Sequence, residues 1–314
     1  MKKLITKRDF VSLKSYTNAE LAKLLDTAYR LKKSKNRITD DLKGQTIGLI
    51  FQKPSNRTRV SFEVGIHQLG GNCIYLGPEE INLGKRETTS DVAQTLSRYL
   101  DGIVARTFSH KDVVELAKFA TVPVINGLTD LSHPCQAMAD MLTIREHLGA
   151  LKGIQLTYIG DGNNVCHSLM IISAKLGVNI TVAYPKGYAP LDIVVKAAQE
   201  LGLETGAKIT LTTNPIEAIK KANVIYADTW VSMGQEEEAK KRLKIFNDYQ
   251  INKHMVTYAD KNYIFMHCLP AHRGQEVTED IIDGAHSVIF DQAENRLHAQ
   301  KAILLYLLGK GKVK

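Results

Sequence analysis

The chain has 314 residues, of which 44% are hydrophobic and 24% charged, a globular composition that excludes a disordered or fibrous protein and is long enough for one large or two medium domains. The net charge is +8, but the lysines are scattered, with small groups only at Lys32-Lys33 and residues 310–314, so a small anionic substrate is expected and nucleic acid is not. No apolar run approaches the roughly 20 residues of a membrane helix. The charged start has no apolar signal core, and Cys73, Cys135, Cys166 and Cys268 form no C-x-x-C pair, so a cytoplasmic protein with reduced thiols, away from membranes, is expected.

Thr17-x-x-Glu20 reads as a capping box for a helix running to about residue 35. A buried strand follows at 46–51, then a polar loop, Lys53-Pro54-Ser55-Asn56, and a helix from about residue 57 to 69, closed by Gly70-Gly71. Strands are expected near 73–76, 102–105 and 122–125, with helices near 90–100 and 111–119, and one further helix spans 133–147. Strand and helix then alternate again, with strands near 154–159, 179–183, 208–211, 224–227, 263–266 and 287–290 and a last helix from about 293 to 308. This alternation predicts the α/β class: two doubly wound parallel-sheet domains of similar size, linked by interdomain helices. The expected bounds are 1–148, joined by the C-terminal helix at about 293–314, and 149–292. No flexible linker separates them, so a packed interface and a ligand cleft are expected.

Ser55-Asn56-Arg57-Thr58-Arg59 follows a strand and opens a helix. The first helical turn offers unpaired N–H groups and the positive end of the dipole, an anion site before side chains are counted. Ser55 and Thr58 add hydroxyls, and Arg57 adds a planar fork suited to phosphate. Without the strand-loop-helix context, the two arginines read as ordinary surface charges. Ser55-x-Arg57-Thr58-Arg59 with Val60-Ser61-Phe62-Glu63 resembles the carbamoyl-phosphate signature of the aspartate and ornithine carbamoyltransferases, with Asn56 where that family usually carries threonine and its backbone N–H as the expected contact. The resemblance extends to Arg106, assigned to phosphate and carbonyl oxygen, and to His133-Pro134-Cys135-Gln136, whose histidine approaches the carbonyl oxygen and whose glutamine holds the carbamoyl NH2. The loop at 75–87 is similar to the segment that relatives lend to a neighbouring subunit, with Asn82 in place of the usual glutamine. It implies a homo-oligomer, a trimer or a multiple of trimers.

In the second half, Gly160-Asp161-Gly162-Asn163-Asn164-Val165 follows a strand. G-x-G hints at a dinucleotide, but Val165 stands where the third glycine belongs. By resemblance, Asn164 contacts the amino acid. Asp228 closes a strand at the end where open α/β sheets bind ligands, and its carboxylate suits an α-ammonium group. Ser232 and the Met233 N–H suit an α-carboxylate. D-x-x-x-S-M-G, at 228–234, resembles the loop that marks the ornithine branch. His267-Cys268-Leu269-Pro270 resembles the same branch, which sets the cysteine at the δ-amine and the Leu269 carbonyl on the carbamoyl group. A Cys-His nucleophile is not expected, because neighbours at a strand end point to opposite sides. Ala293-Glu294-Asn295-Arg296 resembles A-E-N-R, whose arginine contacts the carbamoyl oxygen, and would return the last helix to the first domain.

The resemblance therefore implies transfer of a carbamoyl group from carbamoyl phosphate to the δ-amine of L-ornithine, giving citrulline and phosphate, in arginine biosynthesis or catabolism. It implies no cofactor and no metal. The oxyanion donors would be Thr58, Arg106, His133 and Arg296, the phosphate cations Arg57 and Arg106, and the amine-site residues Asp228 and Cys268.

Overall fold

The computed structural model describes residues 8–81, 83–84, 86–231 and 236–309. The chain divides into two compact units, one holding the chain up to Met138 together with the stretch from Asn295 onward, the other running Ala139–Glu294. The divisions fall inside two helices, Pro134–Leu148 and Ile289–Leu308.

In the first unit, helix α1 (Asn18–Lys33) begins with the expected capping box, Thr17 and Glu20 each satisfying the other's backbone N–H. Strand β1 (Thr46–Phe51), helix α2 (Asn56–Gln68), strand β2 (Asn72–Leu76) and helices α3 (Pro78–Ile81) and α4 (Thr89–Leu96) follow. Strand β3 (Gly102–Arg106), helix α5 (His110–Phe119), strand β4 (Val124–Leu128) and the start of α6 (Pro134–Leu148) complete the first pass. The four strands form a parallel sheet in the order β2-β1-β3-β4. β1 and β3 read as almost continuous apolar runs because both of their faces are covered. Strand β4 starts two residues later than the pattern suggested: Pro123 has no N–H for the ladder and contributes only its carbonyl, to Ile103.

The second unit contains β5 (Gln155–Ile159), α7 (Asn164–Leu176), β6 (Asn179–Ala183), α8 (Asp192–Thr205), β7 (Ile209–Thr212) and α9 (Pro215–Ile219). It continues with β8 (Val224–Ala227), α10 (Ala239–Phe246), α11 (Lys253–Val256), β9 (Ile264–His267) and α12 (Glu279–Ile282), and the first turn of α13 (Ile289–Leu308). Its sheet is parallel throughout, in the order β7-β6-β5-β8-β9. The strand expected at 287–290 is absent. Ser287 makes only an isolated bridge to Phe265, and α13 already begins at Ile289. The apolar run Val288-Ile289-Phe290 signalled burial, and burial alone does not separate a strand from the first turn of a helix.

Beyond Asn295, α13 belongs to the first unit. Lys301 Nζ donates to Gln68 Oε1 at 2.8 Å and the Leu308 carbonyl accepts from Gln45 at 3.0 Å. All four cysteines are free thiols. Among the described residues, no helix is long and apolar enough to cross a membrane.

Candidate active site

In each sheet the chain order reverses once, between β1 and β3 in the first unit and between β5 and β8 in the second. The crevice beyond the carboxyl ends of such a strand pair is where open α/β sheets bind ligands. Residues singled out from the sequence that lie among the described ones, Ser55, Arg57, Thr58 and Arg106 in the first unit and Asp228 and Cys268 in the second, stand at these two places.

In the first unit, β1 leads through Gln52-Lys53-Pro54 into α2. Ser55 is the N-cap, with an extended backbone (φ −161°, ψ 115°) and its Oγ accepting from the Thr58 N–H at 3.3 Å. A hydroxyl that accepts this bond can still donate its own hydrogen. Asn56 and Arg57 begin the helix, so their N–H groups have no carbonyl one turn back. At the end of β3 the register slips: Ala105 lies opposite Asn126 but Arg106 lies opposite Leu128, leaving Gly127 as an extra residue. A Cβ on Gly127 would come within 3.3 Å of the Ala105 carbonyl oxygen. Irregularities of this kind re-aim a side chain at a strand end.

Arg106 is buried, and its Nε has no hydrogen-bond partner among the described residues. Burial, then the charges of Arg296 and Arg57, push its pKa down to about 10, so it remains cationic at neutral pH. Arg296 donates to Thr58 Oγ1 at 3.2 Å and to Gln136 Oε1 at 2.5 Å, and its Nη1 lies 3.4 Å from His133 Nε2. Since Nε2 faces a donor that cannot accept, the imidazole proton sits on Nδ1. Burial first, then Arg296, Arg106 and Arg57, hold the His133 pKa well below the usual histidine range. His133 is therefore a neutral donor, not an acid. Three guanidinium groups among neutral acceptors make a site whose complement is an anion.

Two residues passed over in the sequence stand beside it. Gln52 accepts from the Phe108 N–H at 2.9 Å and donates to the Leu83 carbonyl at 3.3 Å. Lys53 lies over the Phe108 ring, 4.5 Å from its centre, and burial followed by Arg106 lowers its pKa.

In the second unit, Asn163 caps α7. Its Oδ1 accepts from the N–H groups of Val165 and Cys166, while its Nδ2 donates to Asp228 Oδ2 at 2.7 Å, from the loop after β5 to the end of β8. The Cys268 thiol, beyond β9, donates to Asp228 Oδ1 at 3.0 Å, and the Thr229 N–H donates to the same oxygen at 2.8 Å. Asp228 is thus a buried carboxylate held by three donors. His267 turns the other way: its Nδ1 accepts from the Leu269 N–H at 2.9 Å, and its Nε2 lies 3.3 Å from the buried carboxylate of Glu276. The bond to His267 secures Leu269 in a left-handed conformation (φ 59°), which costs a non-glycine residue on the order of 1–3 kcal/mol. Behind the strand ends, Gln292 accepts from the His267 N–H and donates to Asp140, which also takes the Tyr226 hydroxyl.

The G-x-G pattern has a local explanation. A Cβ on Gly162 would fall 2.1 Å from the Pro190 nitrogen, so the chain's own backbone occupies the space that the glycine leaves. Asn164, the first residue of α7, is half-buried beside Asn163. Asn163, Gln52 and Lys53 were missed as site residues; of these, only Asn163 carried a signal, its position as a helix N-cap. Asn82, Ser232 and Met233 lie outside the described residues.

Two family models cover most of the chain. The aspartate/ornithine carbamoyltransferase carbamoyl-P binding domain matches residues 8–146, and the Asp/Orn binding domain of the same family matches residues 152–307. The chain belongs to the aspartate/ornithine carbamoyltransferase family. Within it, an ornithine carbamoyltransferase of Thermococcus kodakarensis is 55% identical over 98% of both chains. The anabolic ornithine carbamoyltransferase of Pyrococcus furiosus is 53% identical over 96% of both. The solved Pyrococcus furiosus ornithine carbamoyltransferase superposes with a TM-score of 0.94 at 53% identity, covering 97% of each chain. The anabolic enzyme of Campylobacter jejuni still gives 0.91 at 37% identity, covering 96% of this chain and 98% of that one. The carbamoyl-P model thus covers Arg57, Arg106, His133 and Gln136 of the arginine-lined crevice, and the Asp/Orn model covers the crevice at Asp228 together with Arg296.

Proposed function

We infer that this chain transfers the carbamoyl group of carbamoyl phosphate to the δ-amine of L-ornithine, forming L-citrulline and phosphate. The observation that carries the reading is the pairing of Asp228 with Asn163 and Cys268 at one switch point, in a chain whose other switch point holds Arg57, Arg106 and Arg296. In this reading Ser55, Asn56, Arg57 and Thr58 receive the phosphate at the amino end of α2. Arg106, His133 and Arg296 oppose the carbonyl oxygen, and Gln136 holds the carbamoyl NH2 together with the Leu269 carbonyl. Asn164 and Asp228 bind the amino acid with Ser232 and Met233, and Cys268 lies at the δ-amine.

The chemistry explains the choice of residues. Negative charge develops on the carbonyl oxygen and on the leaving phosphate, and fixed cations and a neutral N–H donor stabilise both without rearranging. The nucleophile must be a neutral amine. Neutralising an alkyl ammonium of pKa about 10.4 at pH 7 costs roughly 4.6 kcal/mol, and a water-poor site lowers that cost. The departing phosphate can take the proton that nitrogen loses.

The working form is a trimer or a multiple of trimers in the cytoplasm. Strand β2 is an edge strand, and it exposes Ile74 while α2 exposes Val60 and Val64. Apolar surface at a sheet edge supports burial against another copy, and Asn82 is the residue we assign to the neighbouring site. Light scattering on purified protein should give three subunits or a multiple of three; a monomer at micromolar concentration would refute this part. The activity itself is tested by incubating the protein with carbamoyl phosphate and, in parallel, ornithine, putrescine or lysine. Citrulline should form far faster than either other product, and a preference for putrescine or lysine would displace the reading.

A further inference from the structure

Lys240, Lys241 and Arg242 follow one another on α10, but only Arg242 is buried. Its guanidinium is used in several directions at once. Nε donates to the Trp230 carbonyl at 2.5 Å, one terminal nitrogen pairs with the Asp161 carboxylate, and the other lies 3.8 Å from Glu238. The plane lies against two rings, 4.7 Å from the centre of Tyr188 and 5.3 Å from that of Phe246. Two of these partners belong to the loops that carry the acceptor site: Asp161 is two residues before Asn163, and Trp230 is two residues after Asp228. With the Asn163–Asp228 hydrogen bond, the contacts close a ring that runs from Asp161 through Arg242 and Trp230 to Asp228, and through Asn163 back to Asp161.

We propose that Arg242 is a positioning residue for the amino-acid acceptor, fixing the loop after β5 against the loop after β8 so that Asp228 and Asn164 are held at the spacing the substrate requires. The proposal rests on the ornithine reading of this site. A planar fork is needed for the task, because one cation must meet a carbonyl and a carboxylate in different directions while stacking on aromatic faces; an ammonium group offers a single point of charge. Arg242 itself touches neither Asp228 nor Asn163 in the bonds described, so its influence passes through the backbone of both loops.

The test compares Arg242→Lys, Arg242→Gln and Asp161→Asn with the wild-type chain, measuring kcat and KM for each substrate and the melting temperature. The expected result is an ornithine KM raised about tenfold or more in both Arg242 variants, with the carbamoyl phosphate KM within about twofold of wild type, since binding of one substrate alone depends on the ring. Asp161→Asn, which keeps the shape of the side chain and removes only its charge, should raise the same constant in the same direction. Arg242→Gln combined with Asp161→Asn should cost little more than Arg242→Gln alone, because both break one link. An unchanged ornithine KM in the Arg242 variants, or an equal rise in both KM values, would overturn the proposal. If the Arg242 variants do not fold, Asp161→Asn decides in the same way. A wild-type chain that fails to carbamoylate ornithine would instead defeat the function proposed above, and this inference with it.

Discussion

The two crevices occupy the same position in their sheets and solve opposite problems. The one at β1 and β3 concentrates positive charge, with three guanidinium groups around neutral Thr58, Gln136 and His133. The one at β5 and β8 concentrates hydrogen bonds on one carboxylate, Asp228. The first brings like charges together, Arg296 and Arg57 both acting on Arg106, and invites an anion. The second is already satisfied internally and acts by geometry, presenting a carboxylate whose position is fixed by its neighbours. A fold-level rule places both sites; the side chains at the strand ends decide what each can bind.

The comparison breaks most visibly if charge is removed from the first crevice. Arg106→Ala should lower kcat/KM by roughly three orders of magnitude, the cost of losing a buried donor to developing charge, and citrulline assays would show it. Removing charge from the second should act on one substrate: Asp228→Asn is expected to raise the ornithine KM about a hundredfold, with the carbamoyl phosphate KM nearly unchanged. Equal effects of both substitutions on both substrates would erase the distinction.

A subtler division concerns pH. His133 is held neutral, so its ionisation should leave no inflection between pH 6 and 7. The rate with ornithine should instead climb through the alkaline range as the amine loses its proton, and a flat profile from pH 6 to 9 with chemistry rate-limiting would contradict this. The sign for stability follows from the same depression. Above about pH 6.5 histidine is neutral in both states, and below it the unfolded chain takes up a proton that folded His133 resists, so stability is lost as the pH drops below that value. His133→Gln should flatten that part of the melting curve against pH. The smallest effect on chemistry and a local one on stability is expected of Gly162→Ala, where the new Cβ meets the Pro190 backbone. A loss of about 1–3 kcal/mol in denaturant unfolding, with the carbamoyl phosphate KM unmoved, would fit.

How much of this was legible in the sequence follows from how local each feature is. The helix start at Ser55, the strand ends at Arg106 and Asp228 and the parallel alternation could be read because each rests on contiguous residues and short-range periodicity. The resemblance assigned Arg296 to the carbamoyl oxygen, but its contacts with Thr58 and Gln136 appeared only in the structure, since these partners lie far away in the chain. Asn163 drew less notice than Asn164, although its place as a helix cap marked it. Arg242 could not be distinguished from Lys240 and Lys241, because only tertiary packing buries one of the three. Residues 287–290 failed for the opposite reason: a locally convincing apolar run was claimed by the following helix.

The most direct test of the division of labour is calorimetric titration of inorganic phosphate, a stable stand-in for the phosphoester end of the donor, into wild-type, Arg106→Ala and Asp228→Asn protein. Phosphate should bind wild type and Asp228→Asn with closely similar affinity and bind Arg106→Ala at least about tenfold more weakly. Undiminished binding to Arg106→Ala, or an equal loss in Asp228→Asn, would contradict the assignment of the anion to the arginine-lined crevice.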